Sequence, residues 1–299
     1  NVVLNPINGR LLTLQRRVIK NVETHVPRNL LGLKRNILRS CFVPHPKLSL
    51  TAFTGLVNDY LIFGNCYPHA VQNRLGGVLR YDHLRAKYTR RALDLDTYWW
   101  IAQPGQEQAL PAGRVGHVME SDINQEIYGI PDYVGGLNST LLNESATLFR
   151  RRYYENGSHA GFIMHITDAV QNEADITKLK EALRQSKGPG NFRNLLLYTP
   201  NGSKDGVKLI PVAEVAAKDD FLSIKNVSRD DQLASHRVPP QLMGVMPNST
   251  GGFGDVTKAA QVFDINEIDS IKASLLALND WAGEEVIRFN PYRLSDLTG

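Results

Sequence analysis

With 299 residues, 42% of them hydrophobic and 21% charged, the chain has the composition of a globular protein with a substantial core, neither disordered nor membranous. No apolar run approaches the roughly 18 residues that span a bilayer, and the opening Asn1-Val2-Val3-Leu4 carries no secretory-leader pattern; because it lacks an initiator Met, trimmed ends and missing tails are expected. The net charge of +4 hides an asymmetry, 15 Lys/Arg against 5 Asp/Glu in residues 1–100 and 19 against 25 in the rest, which predicts either two surfaces with different partners or a basic segment that only keeps its end soluble.

Residues 1–48, punctuated by Pro27, Pro44 and Pro46, read as a partly ordered basic arm with short helices. Ser49 is placed to cap a helix carrying Phe53, Leu56, Val57, Tyr60 and Leu61, which ends at Gly64. Strand-like pieces follow at Cys66–Val71, Val78–Tyr81, Tyr98–Ala102 and Val115–Met119, split by the Asn73–Gly77 turn and the Pro104–Gly113 loop. After a loop containing Tyr128-Gly129-Ile130-Pro131, a long helix is predicted from Leu137 to Glu155, closed by Asn156-Gly157. Next comes a small α/β module. It has a strand at 162–166, a short helix marked by Ile176, Leu179 and Leu183, and strands at 195–198 and 207–212 around the Asn201-Gly202 turn. A second helix is expected from about Arg229 and must stop before Pro239-Pro240. Residues 241–254 form an uncharged Gly-rich loop. Asp255 then caps a long helix to about Phe289, with Phe263, Ile268, Ile271, Leu275, Leu278 and Trp281 on its apolar face. The fold class is α+β, with the small module inserted at the tip of a helical hairpin.

None of the candidate residues forms a recognisable chemical site. His159 and His165 lack further ligands at metal spacing. Gly251-Gly252-Phe253-Gly254 follows no strand and precedes Asp255, whose carboxylate occupies the place of a phosphate. The pairs Asp219-Asp220 and Asp230-Asp231 are adjacent residues rather than a metal-binding constellation. Cys41 and Cys66 match no redox or metal motif and read as packed thiols in a reducing cytoplasm. No nucleophile motif is present. No enzyme activity, metal or cofactor is therefore expected.

The helix from Leu137 carries two apolar stripes, Leu137, Leu141 and Leu148, and Leu142, Ala146, Phe149 and Tyr153, about 130° apart. Asn138, Ser145 and Arg152 form a polar seam between them. That pattern suits a helix touching two neighbours, which could be copies of itself, or one embedded in a single domain with Arg152 reaching outward. Arg150, Arg151, Arg152, Tyr153 and Tyr154 are candidate interface residues at its end.

Four pieces in order resemble the portal proteins of tailed phages, most closely the P2-like branch (PBSX portal family). They are Tyr60-Leu61-Ile62-Phe63-Gly64-Asn65-Cys66-Tyr67, Tyr128-Gly129-Ile130-Pro131, Leu137–Phe162 and Val238-Pro239-Pro240-Gln241-Leu242-Met243-Gly244. The resemblance implies a self-assembled ring, dodecameric as a rule, at one capsid vertex, assembled in the host cytoplasm. Double-stranded DNA would pass through it, with terminase large subunit, head-completion (connector) proteins, major capsid protein and scaffold as partners, and no membrane. It further implies residues 1–48 as arm and outer wing, 49–136 as wing, 137–157 as first stem helix and 158–227 as clip. Residues 229–240 would be the second stem helix, 241–254 the tunnel loop and 255–299 the helix returning to the wing. Asn248, Ser249, Thr250, Gly251, Gly252 and Phe253 would face DNA. An uncharged constriction and an acidic body suit a conduit that touches duplex DNA without gripping it. The alternative is a monomeric or dimeric nucleic-acid-binding or DNA-processing protein using its basic N-terminal hundred residues.

Overall fold

Leu30, Leu31, Ile37, Leu38 and Cys41 recur at helical intervals, and they are the buried face of the first helix, α1 (Arg28–Cys41). In this computed structural model the described residues are 28–92, 94–103, 105–123, 126–155, 162–166, 177, 181, 207–211, 217–245 and 254–292. Residues 1–48 read as a partly ordered basic arm with short helices, and α1 is one such helix, its apolar side entering the core; residues 1–27 lie outside the described ones. The second helix, α2 (Leu50–Phe63), starts where Ser49 accepts a hydrogen bond from the Ala52 amide and ends at Gly64, whose φ of 66° is the left-handed geometry of a C-cap. Its Phe53 stacks on Phe42 at 3.9 Å between ring centres.

Beyond Gly64 the chain runs straight into β1 (Asn65–Gln72), which pairs antiparallel with β2 (Val78–Leu84) and, on its other edge, with β6 (Val118–Met119). Of the predicted 115–119 strand only that two-residue end joins the ladder, with Val115 making a single bridge to His69. A second sheet has the order β3 (Thr89–Arg91), β4 (Tyr98–Ile101), β5 (Glu107–Leu110). Only β4 matches an expected strand; β5 lies within the segment read as the Pro104–Gly113 loop, where Glu107, Gln108 and Ala109 are exposed and give no apolar alternation to read.

The chain divides into two compact units, one drawn from both ends (up to Asn138 and from Asp230) and one from the middle (Ser139–Arg229). The middle unit holds most of α3 (Leu137–Glu155), the antiparallel pair β7 (Phe162–Ile166) and β8 (Val207–Pro211), and the first part of α4 (Ala217–Ser235). The expected helices and strands between 167 and 206 fall on positions outside the described residues, apart from single helical positions at Thr177 and Glu181. The second helix begins at Ala217, not near Arg229. Nothing between 217 and 235 is a Pro or Gly, so no residue forces a start at 229.

The C-terminal helix is likewise not one continuous rod to Phe289. It comprises α5 (Val256–Phe263), a π-helical turn over Asp264–Ile268, and α6 (Asp269–Ala282). Asp255 caps it as expected, accepting from the amides of Thr257 and Lys258. Phe263 and Ile268 are five residues apart, about 140° round an α-helix. The wider π turn brings both into the core, where they are 2% and 0% exposed. Gly283 (φ 69°) stops α6. Asn279 then turns the chain back, accepting from the Val286 and Ile287 amides and donating to the Ile287 carbonyl. The returning segment lies along the end of α1, with Val43 donating to Arg288 and Asn290 to Cys41. Among the described residues no helix is long and apolar enough to cross a membrane.

Candidate functional site

The motif residues Gly64-Asn65 and Tyr128-Gly129-Ile130-Pro131 are far apart in sequence and interlocked in space. Asn65 is buried, and its amide group uses its full hydrogen-bonding capacity. Nδ2 donates to the carbonyls of Phe63 (2.7 Å) and Gly129 (2.8 Å), while Oδ1 accepts from the Gly129 amide (2.8 Å) and from His117 Nε2 (2.9 Å). His117 is therefore the Nε2–H tautomer. Burial, with the nearby Arg91 charge adding to it, pushes its pKa down to about 3. A Cβ at Gly129 would lie 2.2 Å from the Gly64 carbonyl oxygen and 2.4 Å from that of Glu120. One at Gly64 would lie 2.7 Å from the Ile130 carbonyl carbon. Only glycine permits the two backbones to approach this closely. Tyr60 donates to Glu120, Tyr133 to the Ile62 carbonyl, and the Arg91 amide to Tyr128 Oη, which closes the knot.

The knot stands immediately before the point at which the chain leaves its terminal unit through α3. The return, through the end of α4, carries the other motif. Pro239 and Pro240 open a short 3-10 turn over Pro240–Met243, and Gly244 (φ 67°) closes it. A Cβ on Gly136 at the start of α3 would meet Ser235 Oγ at 2.4 Å, so the roots of the two helices touch through a missing side chain. His236 stacks on Tyr133 at 5.1 Å, and burial, reinforced by the Lys34 charge, lowers its pKa to about 4. Arg237 has φ 53°, a left-handed conformation that non-glycine residues adopt at a cost. Its Nη1 lies 3.5 Å from Asp132 and 3.3 Å from Glu267. On the same Glu267, the other carboxylate oxygen binds Lys34 at 2.5 Å.

Of the residues proposed from sequence, Arg150 is half-buried, and Arg151 and Arg152 are exposed near the end of α3. Tyr153 and Tyr154 lie on the same helix, but their side chains are outside the described set. Asn248, Ser249, Thr250, Gly251, Gly252 and Phe253 all lie outside the described residues. Both stripes of α3 present exposed residues, Leu141 and Leu148 on one and Leu142 and Phe149 on the other, with Asn138, Ser145 and Arg152 exposed between them. The cluster of Lys34, Asp132, Arg237 and Glu267 was missed. Its members are scattered along the sequence, and the only local hint is a charged residue in each of two otherwise apolar helical faces. Among the described residues no group of three or more His, Cys, Asp or Glu is placed to hold a metal ion.

No protein-family model matches the chain. It is 51% identical over 262 residues to a probable portal protein of Escherichia phage P2, covering 88% of this chain and 76% of that one. A probable portal protein of Haemophilus phage HP1 is 34% identical over 244 residues, covering 80% of this chain and 71% of its own length. Among solved structures, an HK97 family phage portal protein from Corynebacterium diphtheriae superposes with a TM-score of 0.64 at 13% identity over 92% of this chain and 95% of that chain. The neck of a native gene transfer agent particle, computed with C12 symmetry, gives 0.61 at 15% identity over 95% and 85%. These two likenesses establish the fold. Nothing in the four relatives favours the DNA-processing alternative. The sequence kinship decides the family: this chain belongs to the phage portal proteins.

Proposed function

We propose that the chain is the repeating subunit of a ring at one capsid vertex, through which double-stranded DNA is packaged and ejected. The observation that carries this reading is the surface of α3, where Leu141 and Leu148 on one apolar stripe and Leu142 on the other are each more than 40% exposed in the single subunit. Leu141, Leu142 and Leu148 on a nineteen-residue helix are costly to leave wet, and a neighbour on each side would cover them. A closed ring gives every subunit two such neighbours. The C12 neck of the gene transfer agent supports a dodecamer.

On this reading residues 49–136 are wing, 137–157 and the helix now seen to begin at Ala217 are the stem, and the intervening segment is the clip. Residues 248–253 belong to the tunnel loop facing DNA. Terminase and head-completion proteins would dock at the clip end and capsid protein at the wing, with assembly in the host cytoplasm. No catalytic step is assigned, because positioning and steric guidance suffice for a conduit. Arg152, between the stripes, is a subunit contact rather than a DNA contact. Negative-stain images and sedimentation of the full chain test the reading. Rings of many subunits are expected, and a strict monomer at high concentration would overturn it. Arg152→Ala should weaken association more than DNA retention; normal assembly with reduced DNA retention reverses that assignment.

A further inference from the structure

Arg237 occupies an unusual place. The chain leaves its terminal unit six residues after Asp132 and re-enters it seven residues before Arg237, so these two side chains mark the roots of α3 and α4. Both belong to the terminal unit, and so do Lys34 and Glu267. We infer that Arg237 is the releasable arm of a clasp that fixes the roots of both helices to the π turn of the C-terminal helix, and that its release loosens both roots.

The two cations on Glu267 differ in what water can do to them. Lys34 is 5% exposed and its contact with Oε1 is 2.5 Å, in a carboxylate that is itself 3% exposed. Solvent and salt compete poorly with such a pair. Arg237 is 61% exposed and reaches Oε2 at 3.3 Å and Asp132 at 3.5 Å. Its bonds are accessible to water, so they form and break at low cost. When Arg237 leaves, Glu267 keeps Lys34 and is not stranded as a bare buried charge. The open state is therefore tolerable, as a two-state device requires.

The left-handed backbone at Arg237 is the C-cap of α4, where the Arg237 amide donates to Ala234 and the Val238 amide to Leu233, so the helix end itself fixes where the guanidinium starts. The π turn that carries Glu267 is the kind of helical irregularity that persists where function requires it. Beside the clasp lies a cavity of about 30 Å³ lined in part by Lys34, Tyr60, Glu120, Asp132, His236 and Glu267. Roughly 10–15 Å³ admits one water, so the cavity has room for a water among these groups.

The test is amide hydrogen exchange on the full chain. Arg237→Asn removes the cation while keeping a residue that tolerates left-handed φ, and Arg237→Lys keeps a charge without the fork. Exchange at residues 132–137 and 232–238 should quicken about tenfold in Arg237→Asn and by less in Arg237→Lys, with residues 50–63 unchanged. Moderate salt should reproduce the effect in the wild type and have no further effect in Arg237→Asn. Unchanged rates at the two roots, or an equal rise throughout α2, would overturn the inference.

Discussion

Lys34 and Glu267 sit 233 residues apart in sequence and 2.5 Å apart in the core, and replacing Glu267 by Ala is a sharp test of what that pair contributes. With side chains 5% and 3% exposed, neither charge can turn to bulk water when its partner is removed. Deleting one partner of such a pair costs about 3–5 kcal/mol, because the survivor stays buried and uncompensated. The small cavity beside Lys34 and the carboxylate of Glu120 on its lining offer partial relief, which places the expected loss at the lower end, about 3 kcal/mol. The double variant Lys34→Met with Glu267→Leu removes both charges and fills the space, so it should lie within about 1 kcal/mol of the parent. Urea unfolding at one fixed protein concentration compares the parent with both variants, the fixed concentration being necessary for an oligomer. A loss below about 1 kcal/mol for Glu267→Ala, or a double variant no better than the single, would show that the pair is solvated and the argument wrong.

Three other outcomes are expected. Asn65→Ala leaves the Gly129 amide, the Gly129 carbonyl and the Phe63 carbonyl without their buried partner and should cost about 3 kcal/mol or more in denaturant unfolding. Gly129→Ala puts a methyl group 2.2–2.5 Å from backbone atoms of Gly64 and Glu120, none of which can rotate away; little or no folded protein is expected by circular dichroism and near-native yield contradicts the knot. Stability should also fall as pH drops from about 6.5 toward 4. His117 and His236 have folded pKa values of about 3 and about 4 against 6.5, so in that window the unfolded chain binds protons that the native one does not. Each contributes a slope of about 1.4 kcal/mol per pH unit. Unfolding midpoints measured at pH 7, 6 and 5 check it, and His117→Gln should flatten the slope.

The portal fold is legible in the sequence mainly through short-range chemistry. Ser49, Gly64 and Asp255 mark helix ends because a cap is satisfied within a few residues of itself. Leu137 to Glu155 declares its length through a pattern without breakers. The five-residue step from Phe263 to Ile268 held a signal of the π turn, which a search at the α-helical period alone passes over. The motif pieces betrayed the family because their order along the chain is itself information.

What those motifs do was decided only in three dimensions. Asn65 is an inconspicuous polar residue until Gly129 and His117 come within its reach, and Gly129 is an ordinary loop glycine until the Gly64 carbonyl blocks the space of a side chain. The clasp at the roots of α3 and α4 had no sequence signature, since Lys34, Asp132, Arg237 and Glu267 look like scattered surface charges. Whether a lysine on a helix is solvated or buried depends on which carboxylate the packing brings to it, and here that carboxylate arrives from the far end of the chain. The start of α4 escaped because no residue marks it, and the reversal at Asn279 because its bonds reach seven and eight residues along the chain. Local propensity sets what a segment is able to form, while burial against distant partners chooses where it begins, where it turns and which charges it must pair.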